Sequence, residues 1–201
     1  MDKSNGYETH ATTFIRCRSK GTDGVGAASV RHWARSLPPN ATVLDVGCGA
    51  GDPISKTLAE EGLTVYGIDA SSSMVQVFRQ NFPNMPVACE AVEDSTFFNR
   101  QFDAIIAWGL IFLLPEETQE VVIQKIANAL SPGGKVLFTA PSQILKWKDA
   151  ITEIESISLG ADRYKEMLAA SGLSLIEEFD DEGENHYYHA TSPPHSPVSP
   201  A

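Results

Sequence analysis

The sequence is poor in cysteine, in positive charge and in long apolar segments. Its three cysteines, Cys17, Cys48 and Cys89, are widely spaced and form no Cys-x-x-Cys pair. An odd number of separated cysteines is typical of reduced thiols and argues against both a disulfide framework and a structural zinc site. No other metal-binding pattern is evident, so we predict that the protein holds no metal.

Signals for membranes and for export are also missing. No apolar run reaches the ~18 residues that a membrane-spanning helix requires. The first residues, MDKSNGYETH, contain no apolar stretch of the kind found in a signal peptide. We therefore expect a cytoplasmic protein that does not bind membranes.

Acidic residues outnumber basic ones. Asp and Glu total 26 against 15 Lys and Arg, which gives a formal net charge of −11. Because nucleic-acid binding depends on cations that neutralise phosphates, this balance disfavours a nucleic-acid partner. Some basic residues do cluster in the N-terminal region, but they are also explained as the solvated faces of one or two helices: Arg16, Arg18, Lys20, Arg31 and Arg35.

What the chain does contain is a regular alternation of strand and helix patterns. With 201 residues and 42% hydrophobic residues, it has the size and the apolar content of a single domain. Strands are predicted at 41–46, 63–69, 86–90, 102–108, 134–140, 173–180 and 185–191. Helices are predicted at 52–61, 71–81, 116–130 and 160–171, the third starting at Pro115 and ending at SPGG. This alternation predicts a mainly parallel seven-stranded α/β sheet with helices on both faces and an antiparallel last strand.

The flanks of this region differ from it. Val30, Trp33, Ala34 and Leu37 have the spacing of an amphipathic helix, so we predict an N-terminal helical cap over 1–40 before the main domain at 41–192. The segment 193–201 is rich in Pro and Ser and is predicted to be disordered. An insertion at 141–159 follows the fifth strand, and its Trp147 is either part of a lid or an anchor for that segment.

The segment VLDVGCGAGD at 43–52 carries the most information about function. After a buried strand, Gly47, Gly49 and Gly51 form a turn that lets a ligand approach the backbone closely. The next strand ends in Asp69, a carboxylate that is placed to accept hydrogen bonds from both hydroxyls of a ribose. The ligand is therefore predicted to be a nucleoside.

Asp45, just ahead of the turn, separates two classes of nucleoside ligand. Dinucleotide-binding proteins share the glycines, so the glycines alone do not decide. A carboxylate beside the turn repels a pyrophosphate and attracts a ligand that carries an ammonium or sulfonium group. A nucleotide-dependent oxidoreductase stays open as an alternative, which the cofactor bound after purification would decide.

Taken together, these residues resemble the class I S-adenosylmethionine-dependent methyltransferases over about residues 40–140. The family's (D/E)xGxGxG turn is matched by Asp45 and the three glycines, and its ribose-binding acid by Asp69. Glu93 and Asp94 match the acidic pair near the adenine, and SPGGK at 131–135 matches the turn into the fifth strand. The resemblance implies a Rossmann-like doubly wound fold and S-adenosylmethionine as cofactor. It says little about the methyl acceptor.

Candidate site residues follow from the rule that ligands bind beyond the carboxyl ends of parallel strands. The predicted cofactor-binding residues are Asp45, Gly47, Cys48, Gly49, Asp69, Ala70, Ser71, Met74, Glu93, Asp94 and Trp108. The predicted substrate-binding residues are Tyr7, Arg18, Trp108, Trp147, Asn185 and His186. Tyr7 and His186 are also the candidate catalytic residues, since a histidine side chain suits the role of a general base near neutral pH.

Several of these residues have a second interpretation. Trp108 either lines the junction of cofactor and acceptor or closes the core, and Cys48 is either a reactive thiol or a small residue tolerated in the turn. His186 is either a site residue, because the reversed last strand begins at the ligand edge, or a solvated edge-strand histidine. Tyr7 reaches the sulfonium if the N-terminal region folds over the cofactor, and otherwise belongs to a loosely packed terminus.

We therefore predict a methyltransferase, monomeric or homodimeric, that moves a methyl group by direct displacement to a small-molecule acceptor. Positioning and exclusion of water supply most of the acceleration in such a reaction, and a base is needed only if the acceptor arrives protonated. Besides the oxidoreductase, a non-catalytic S-adenosylmethionine-binding protein that regulates a partner remains an alternative.

Overall fold

The structure is a computed structural model that describes residues 3–18 and 24–194. The helices are α1 (Tyr7–Arg18), α2 (Ala27–Ala34), α3 (Ile54–Glu60), α4 (Ser72–Asn81), α5 (Glu116–Ala129) and α6 (Ala161–Ala170). The strands are β1 (Thr42–Val46), β2 (Thr64–Asp69), β3 (Val87–Cys89), β4 (Phe102–Ala107), β5 (Leu130–Thr139), β6 (Ile144–Lys148), β7 (Glu155–Leu159), β8 (Ser174–Asp180) and β9 (His186–Thr191).

Seven of these strands form one sheet in the order β3-β2-β1-β4-β5-β9-β8. β1 to β5 are parallel, whereas β9 runs antiparallel to both of its neighbours, β5 and β8. The predicted fold class is confirmed, including the reversed last strand. Because Thr139 at the end of β5 pairs with Tyr187 near the start of β9, that start lies at the carboxyl edge of the sheet.

Helices cover both faces of the sheet, and successive residues of β1 show why. Val43 faces the cluster formed with α2 and α3, whereas Leu44 faces the cluster formed with α5 and α6, and both side chains are 0% exposed. Since neighbouring residues of a strand point to opposite faces, a strand buried on both sides must be apolar at nearly every position. The central strands have this composition.

The fifth strand is longer than predicted. SPGG does mark the end of α5, which stops at Ala129, but these residues belong to β5, which begins at Leu130. The pairing of β4 with β5 shifts register between Phe102 and Ala104, so the early part of β5 passes through an irregularity. SPGG therefore lies inside a bulged strand, whereas the sequence predicts a turn that leads into a strand at 134–140.

The insertion at 141–159, for which we predicted no strand, forms the hairpin β6–β7, a separate two-stranded sheet. Trp147 on β6 packs against Phe112, with ring centroids 5.3 Å apart. The Gln119 side chain of α5 donates to the carbonyl of Ile157 on β7 at 3.0 Å. These contacts hold the hairpin against the segment that follows β4.

The N-terminal region supplies α1 and α2. α2 packs on the sheet through Val30 and Trp33, whereas α1 contacts α4 and buries Ala11 beside Met74. The division into a cap at 1–40, a domain at 41–192 and a tail at 193–201 stays a prediction, and residues 195–201 lie outside the described part of the chain. Among the helices described, none is long and apolar enough to cross a membrane.

Candidate functional site

A cavity of about 520 Å³ opens at the carboxyl edge of the sheet, over the ends of β1, β2 and β4. Small-molecule sites commonly have volumes of roughly 300–1,000 Å³. The wall contains most of the predicted site residues: Tyr7, Asp45, Gly47, Cys48, Gly49, Asp69, Ala70, Met74, Glu93, Trp108 and Asn185. The fold thus brings together residues that are far apart in the sequence.

The glycine turn forms the floor of the cavity. Gly47 has a φ of +75°, and a Cβ there would lie 3.2 Å from the Leu110 side chain. The amides of Gly47 and Cys48 both donate to the carbonyl of Ile68, at 2.9 and 3.0 Å. At Gly49 an added Cβ would meet only Phe14, at 4.0 Å, so the backbone of this residue is open to the cavity. A ligand can therefore approach the turn without a side chain in between.

Asp69 lies at the end of β2 and connects two loops. One carboxylate oxygen accepts the amide of Gly49 at 2.8 Å, and the other accepts the amide of Ser71 at 2.8 Å. Burial raises the pKa of Asp69, and these two backbone bonds oppose the rise. Because each carboxylate oxygen has a further lone pair, Asp69 is able to accept the hydroxyls of a ribose while it fixes the turn.

Asp45 lies in the cavity wall with 1% of its surface exposed. It accepts a hydrogen bond of 2.5 Å from the Ser55 hydroxyl on α3. The neighbouring Cys48 thiol is also buried, and burial, reinforced by the charges of Asp45 and Asp69, raises its pKa well above the usual value. Cys48 therefore stays a neutral thiol and not a nucleophile.

Two predicted cofactor residues, Ser71 and Asp94, lie outside the cavity wall. Ser71 is fully buried and caps α4, where its hydroxyl accepts the amide of Met74 at 3.2 Å. Asp94 forms an ion pair with Lys3 at 2.6 Å, and the same ammonium group lies 3.4 Å from Glu93. Ser71 therefore has a structural role, and the acidic pair ties down the N-terminal segment.

Glu8 on α1 is a residue that the sequence patterns did not indicate. Its carboxylate accepts the hydroxyls of Ser71 at 2.6 Å, Ser72 at 3.0 Å and Ser73 at 2.8 Å, and the amide of Ser73 at 3.1 Å. Hydrogen bonds, first from Ser71 and then from Ser73, lower the pKa of Glu8 to about 2. A charged group thus caps α4 from a different helix and holds α1 beside the cavity.

Tyr7 reaches the cavity from the start of α1. Its ring packs edge-to-face on Phe14, with centroids 5.2 Å apart, and its hydroxyl donates to Asp149 at 3.0 Å. Asp149 lies between β6 and β7, where it also accepts the amides of Ile151 at 2.9 Å and Thr152 at 2.8 Å. The N-terminal helix and the hairpin therefore meet at the cavity, and the described part of the terminus, from residue 3 to the end of α1, is packed against the fold. Asp149 was not predicted as a site residue, because candidate residues were taken from the ends of predicted strands and no strand was predicted in the insertion at 141–159.

Trp108, at the end of β4, is held by a chain of hydrogen bonds. Its indole N–H donates to the Tyr187 hydroxyl at 2.7 Å, which in turn donates to Asp181 at 2.8 Å. Asp181 also accepts the side-chain amide of Asn185 at 3.0 Å. Burial of Tyr187 raises its pKa, so the hydroxyl keeps its proton. The β8–β9 loop thus fixes the tryptophan in the cavity wall.

His186 is not brought to the cavity, which corrects the catalytic role that we predicted. Its ring nitrogens contact Asp180 at 2.7 Å and Glu178 at 3.3 Å, and the ring packs edge-to-face on Tyr188, with centroids 4.9 Å apart. Along β9 the side chains alternate, so His186 and Tyr188 face α6 whereas Tyr187 faces the opposite side. Asn185, and not His186, reaches the site from this strand.

Of two other predicted substrate residues, one lies outside the cavity wall and the other has a side chain that the structure does not describe. Trp147 packs on Phe112 behind the wall, which supports its interpretation as an anchor for the hairpin and not as a ligand contact. Arg18 ends α1, but its side chain lies outside what the structure describes, as does all of Lys20. Groups of His, Cys, Asp and Glu that could hold a metal ion are not found among the residues described.

Comparison with known proteins adds independent evidence for a family. Residues 43–134 match a family described as a methyltransferase domain. Ubiquinone biosynthesis O-methyltransferase of Coxiella burnetii is 33% identical over 108 residues, which cover 52% of this chain and 45% of that protein. Its counterpart in Idiomarina loihiensis is 30% identical over 123 residues, 57% of this chain and 49% of that protein. The chain spans about half the length of the curated relatives that it matches.

Solved structures match over nearly the whole chain. Magnesium protoporphyrin IX methyltransferase from Synechocystis PCC 6803, with bound S-adenosylmethionine, superposes with a TM-score of 0.73 at 19% identity, covering 96% of this chain and 98% of that one. The [4+2]-cyclase SpnF superposes with a TM-score of 0.77 at 15% identity, covering 97% of both chains. At such identities the superpositions establish a shared fold, which hosts more than one reaction.

Proposed function

We propose that the chain is a class I S-adenosylmethionine-dependent methyltransferase that transfers a methyl group to a small-molecule acceptor, and the match of residues 43–134 to a methyltransferase domain supports this. The observation that carries the proposal is the cavity, whose wall joins the open glycine turn to two carboxylates, Asp45 and Asp69. A ligand that combines a ribose with positive charge is complementary to that wall.

The residues present fit S-adenosylmethionine from one end to the other. We assign the ribose to Asp69, the amino-acid portion to Asp45 and the turn at Gly47 and Gly49, and the adenine to the Glu93 end of the cavity. The backbone at Gly49 is open, since an added Cβ would meet only Phe14 at 4.0 Å. Ala70, Cys48 and Met74 supply small or apolar surface between these polar groups.

When bound, the sulfonium supplies an activated methyl carbon, which the lone pair of an acceptor attacks as the sulfur–methyl bond breaks towards sulfur. The protein's own residues have the task of positioning and of excluding water. Glu8 and Tyr7 hold α1 over the cavity, through α4 and Asp149 respectively. Trp108, fixed by Tyr187, provides a rigid wall at the end of β4, where cofactor and acceptor would meet.

A small-molecule acceptor suits both the cavity and the relatives. The two ubiquinone biosynthesis O-methyltransferases and the magnesium protoporphyrin IX methyltransferase are named for small-molecule substrates or pathways. In this chain Tyr7, Phe14 and Ile15 of α1 and Asp149 of the β6–β7 turn contribute to the wall of a cavity of about 520 Å³, a volume suited to small molecules. The absence of a nucleic-acid partner, the oligomeric state and the cytoplasmic location stay predictions.

Two alternative functions can be compared with specific observations. For a nucleotide-dependent oxidoreductase, Asp45 would lie beside a pyrophosphate and repel it, and Lys3, the cation among the described wall residues, is already paired with Glu93 and Asp94. For a protein that uses the fold without methyl transfer, the similarity to SpnF is a precedent on the same architecture. Assays of cofactor binding and of methyl transfer separate these alternatives.

The test is a screen of a metabolite library with S-adenosylmethionine labelled in its methyl group. We expect label in one class of small molecule and stoichiometric release of S-adenosylhomocysteine, both reduced by Asp69→Ala at subsaturating cofactor and retained by Asp162→Ala, which removes an exposed carboxylate on α6. Binding of S-adenosylhomocysteine without transfer to any acceptor would favour the non-catalytic alternative. Binding of a nicotinamide dinucleotide in its place would favour the oxidoreductase.

A further inference from the structure

The cavity has an apolar end that the cofactor assignment leaves unused. Beyond β4 the wall consists of Trp108, Leu110, Phe112, Leu113 and Leu114. Phe112 is backed by Trp147, with ring centroids 5.3 Å apart, and the carbonyl of Leu114 is held by Gln119 at 2.8 Å. A wall of aromatic and branched side chains on a fixed backbone favours a flat apolar ligand.

One carboxylate, Asp149, joins this apolar wall. Its Oδ1 accepts the amides of Ile151 and Thr152, whereas its Oδ2 accepts the Tyr7 hydroxyl at 3.0 Å. A carboxylate oxygen has two lone pairs, so Oδ2 is able to accept one more donor from the cavity. Burial by itself would raise the pKa of Asp149, but the backbone bonds and the Tyr7 hydroxyl outweigh it and lower the pKa. The group is therefore negatively charged at neutral pH.

Among the residues described, the net charge of the cavity wall is also negative. Carboxylates that line the cavity are Asp45, Asp52, Asp69, Glu90, Glu93 and Asp149. Among the residues described, the cation in the wall is Lys3, which is already paired with Glu93 at 3.4 Å and Asp94 at 2.6 Å. An anionic acceptor would meet repulsion here, whereas a cation would be stabilised.

We propose that the acceptor is an amine on an aromatic or other flat apolar framework, with the framework against Trp108 and Phe112 and the nitrogen at Asp149. The proposal rests on the proposed function, because the acceptor must share the cavity with the cofactor. Tyr7 supports the site by holding Asp149 and by closing α1 over it. A bound ammonium must release one proton to bulk water before its nitrogen lone pair attacks, so transfer should rise with pH towards the pKa of the amine.

The test compares two probes that share a phenylethyl group and carry opposite charges, 2-phenylethylamine and 3-phenylpropionate. Calorimetry measures the binding of each to the full chain saturated with S-adenosylhomocysteine. We expect the amine to bind at least roughly tenfold more tightly than the acid, which corresponds to about 1.4 kcal/mol. Asp149→Asn should bring the two affinities to within about threefold of each other. Glu153→Gln, which removes an exposed carboxylate from the same turn, should leave the preference unchanged.

Three results would overturn the proposal. The first is an acid that binds as tightly as the amine. The second is a preference for the amine that survives Asp149→Asn, and the third is no binding of the amine up to millimolar concentration. The affinity for S-adenosylhomocysteine is measured first, by titration of the same protein preparations before they are saturated. If the parent does not bind S-adenosylhomocysteine, the proposed function itself is contradicted. If it binds S-adenosylhomocysteine but fails the comparison of the two probes, only the proposed acceptor class is wrong.

Discussion

The contact of Glu8 with the start of α4 leads to a quantitative prediction about α1. Replacing Glu8 by Gln keeps the size of the side chain but removes the charge that accepts hydrogen bonds from Ser71, Ser72 and Ser73. The pKa of Glu8 lies at about 2 against an ordinary 4.5, a difference that corresponds to roughly 3 kcal/mol in favour of the charged form. Because the side chain is partly exposed, screening by solvent reduces this, and we expect a loss of about 1–2 kcal/mol.

The pH dependence follows from the direction of that shift. Since the pKa of Glu8 is lower in the folded protein, its contribution is complete above the unfolded value of 4.5. It is lost progressively as the pH falls from 4.5 towards 2. The parent and Glu8→Gln should therefore differ most at neutral pH and become alike in strong acid.

Amide hydrogen exchange of the full chain, followed by mass spectrometry at pH 7, measures the opening of α1. A loss of 1–2 kcal/mol predicts about 5- to 30-fold faster exchange in α1, with α5 unchanged. Glu117→Gln is the matched control, because Glu117 lies in the first turn of α5 as Glu8 does in α1. Exchange in α1 that is no faster in Glu8→Gln than in this control would refute the reasoning.

Two further predictions concern a histidine outside the cavity and a carboxylate inside it. His186→Ala should leave both the affinity for S-adenosylmethionine and the turnover within about threefold of the parent, because the ring faces Asp180 and Glu178; a loss of 10²-fold or more in turnover would restore a catalytic role. Asp45→Asn should weaken S-adenosylmethionine binding by about 1–3 kcal/mol in calorimetry, since a charge partner of the ligand is lost while Ser55 still has an oxygen to donate to. Unchanged affinity in a folded Asp45→Asn variant would remove the charge argument that separates a sulfonium from a pyrophosphate.

The architecture could be predicted because its signals are local and repeated. Each buried strand has a run of apolar residues, and each helix has a start or stop signal such as Pro115 or the glycine turn. The hairpin β6–β7 was not predicted, because four of the five residues of β6 are exposed. Its sequence, ILKWK, therefore lacks the alternation of buried and exposed residues that indicates a strand. The hydrophobic pattern that predicts the strands of the main sheet therefore does not predict this hairpin.

The site could be predicted only as far as the backbone determines it. Asp69 and the glycines follow strand ends, so their position in the chain fixes their position in space. The direction of a side chain at a strand end depends on the pleat, and His186 faces α6 where its neighbour Asn185 reaches the cavity. Glu8 and Ser71 are 63 positions apart in the sequence, and Tyr7 and Asp149 are 142 positions apart. Contacts at such separations cannot be predicted from local sequence patterns.

The most direct test of the account is whether the purified chain binds S-adenosylhomocysteine through Asp69. Calorimetry should show one site per chain in the parent, no binding of a nicotinamide dinucleotide, and a loss of about 1–3 kcal/mol in Asp69→Ala. Asp69 also holds the amides of Gly49 and Ser71, so circular dichroism must show that the variant is folded, with Asp162→Ala as a control of equal charge. Equal affinity in a folded Asp69→Ala variant, or binding of the dinucleotide and not of S-adenosylhomocysteine, would contradict the central claim.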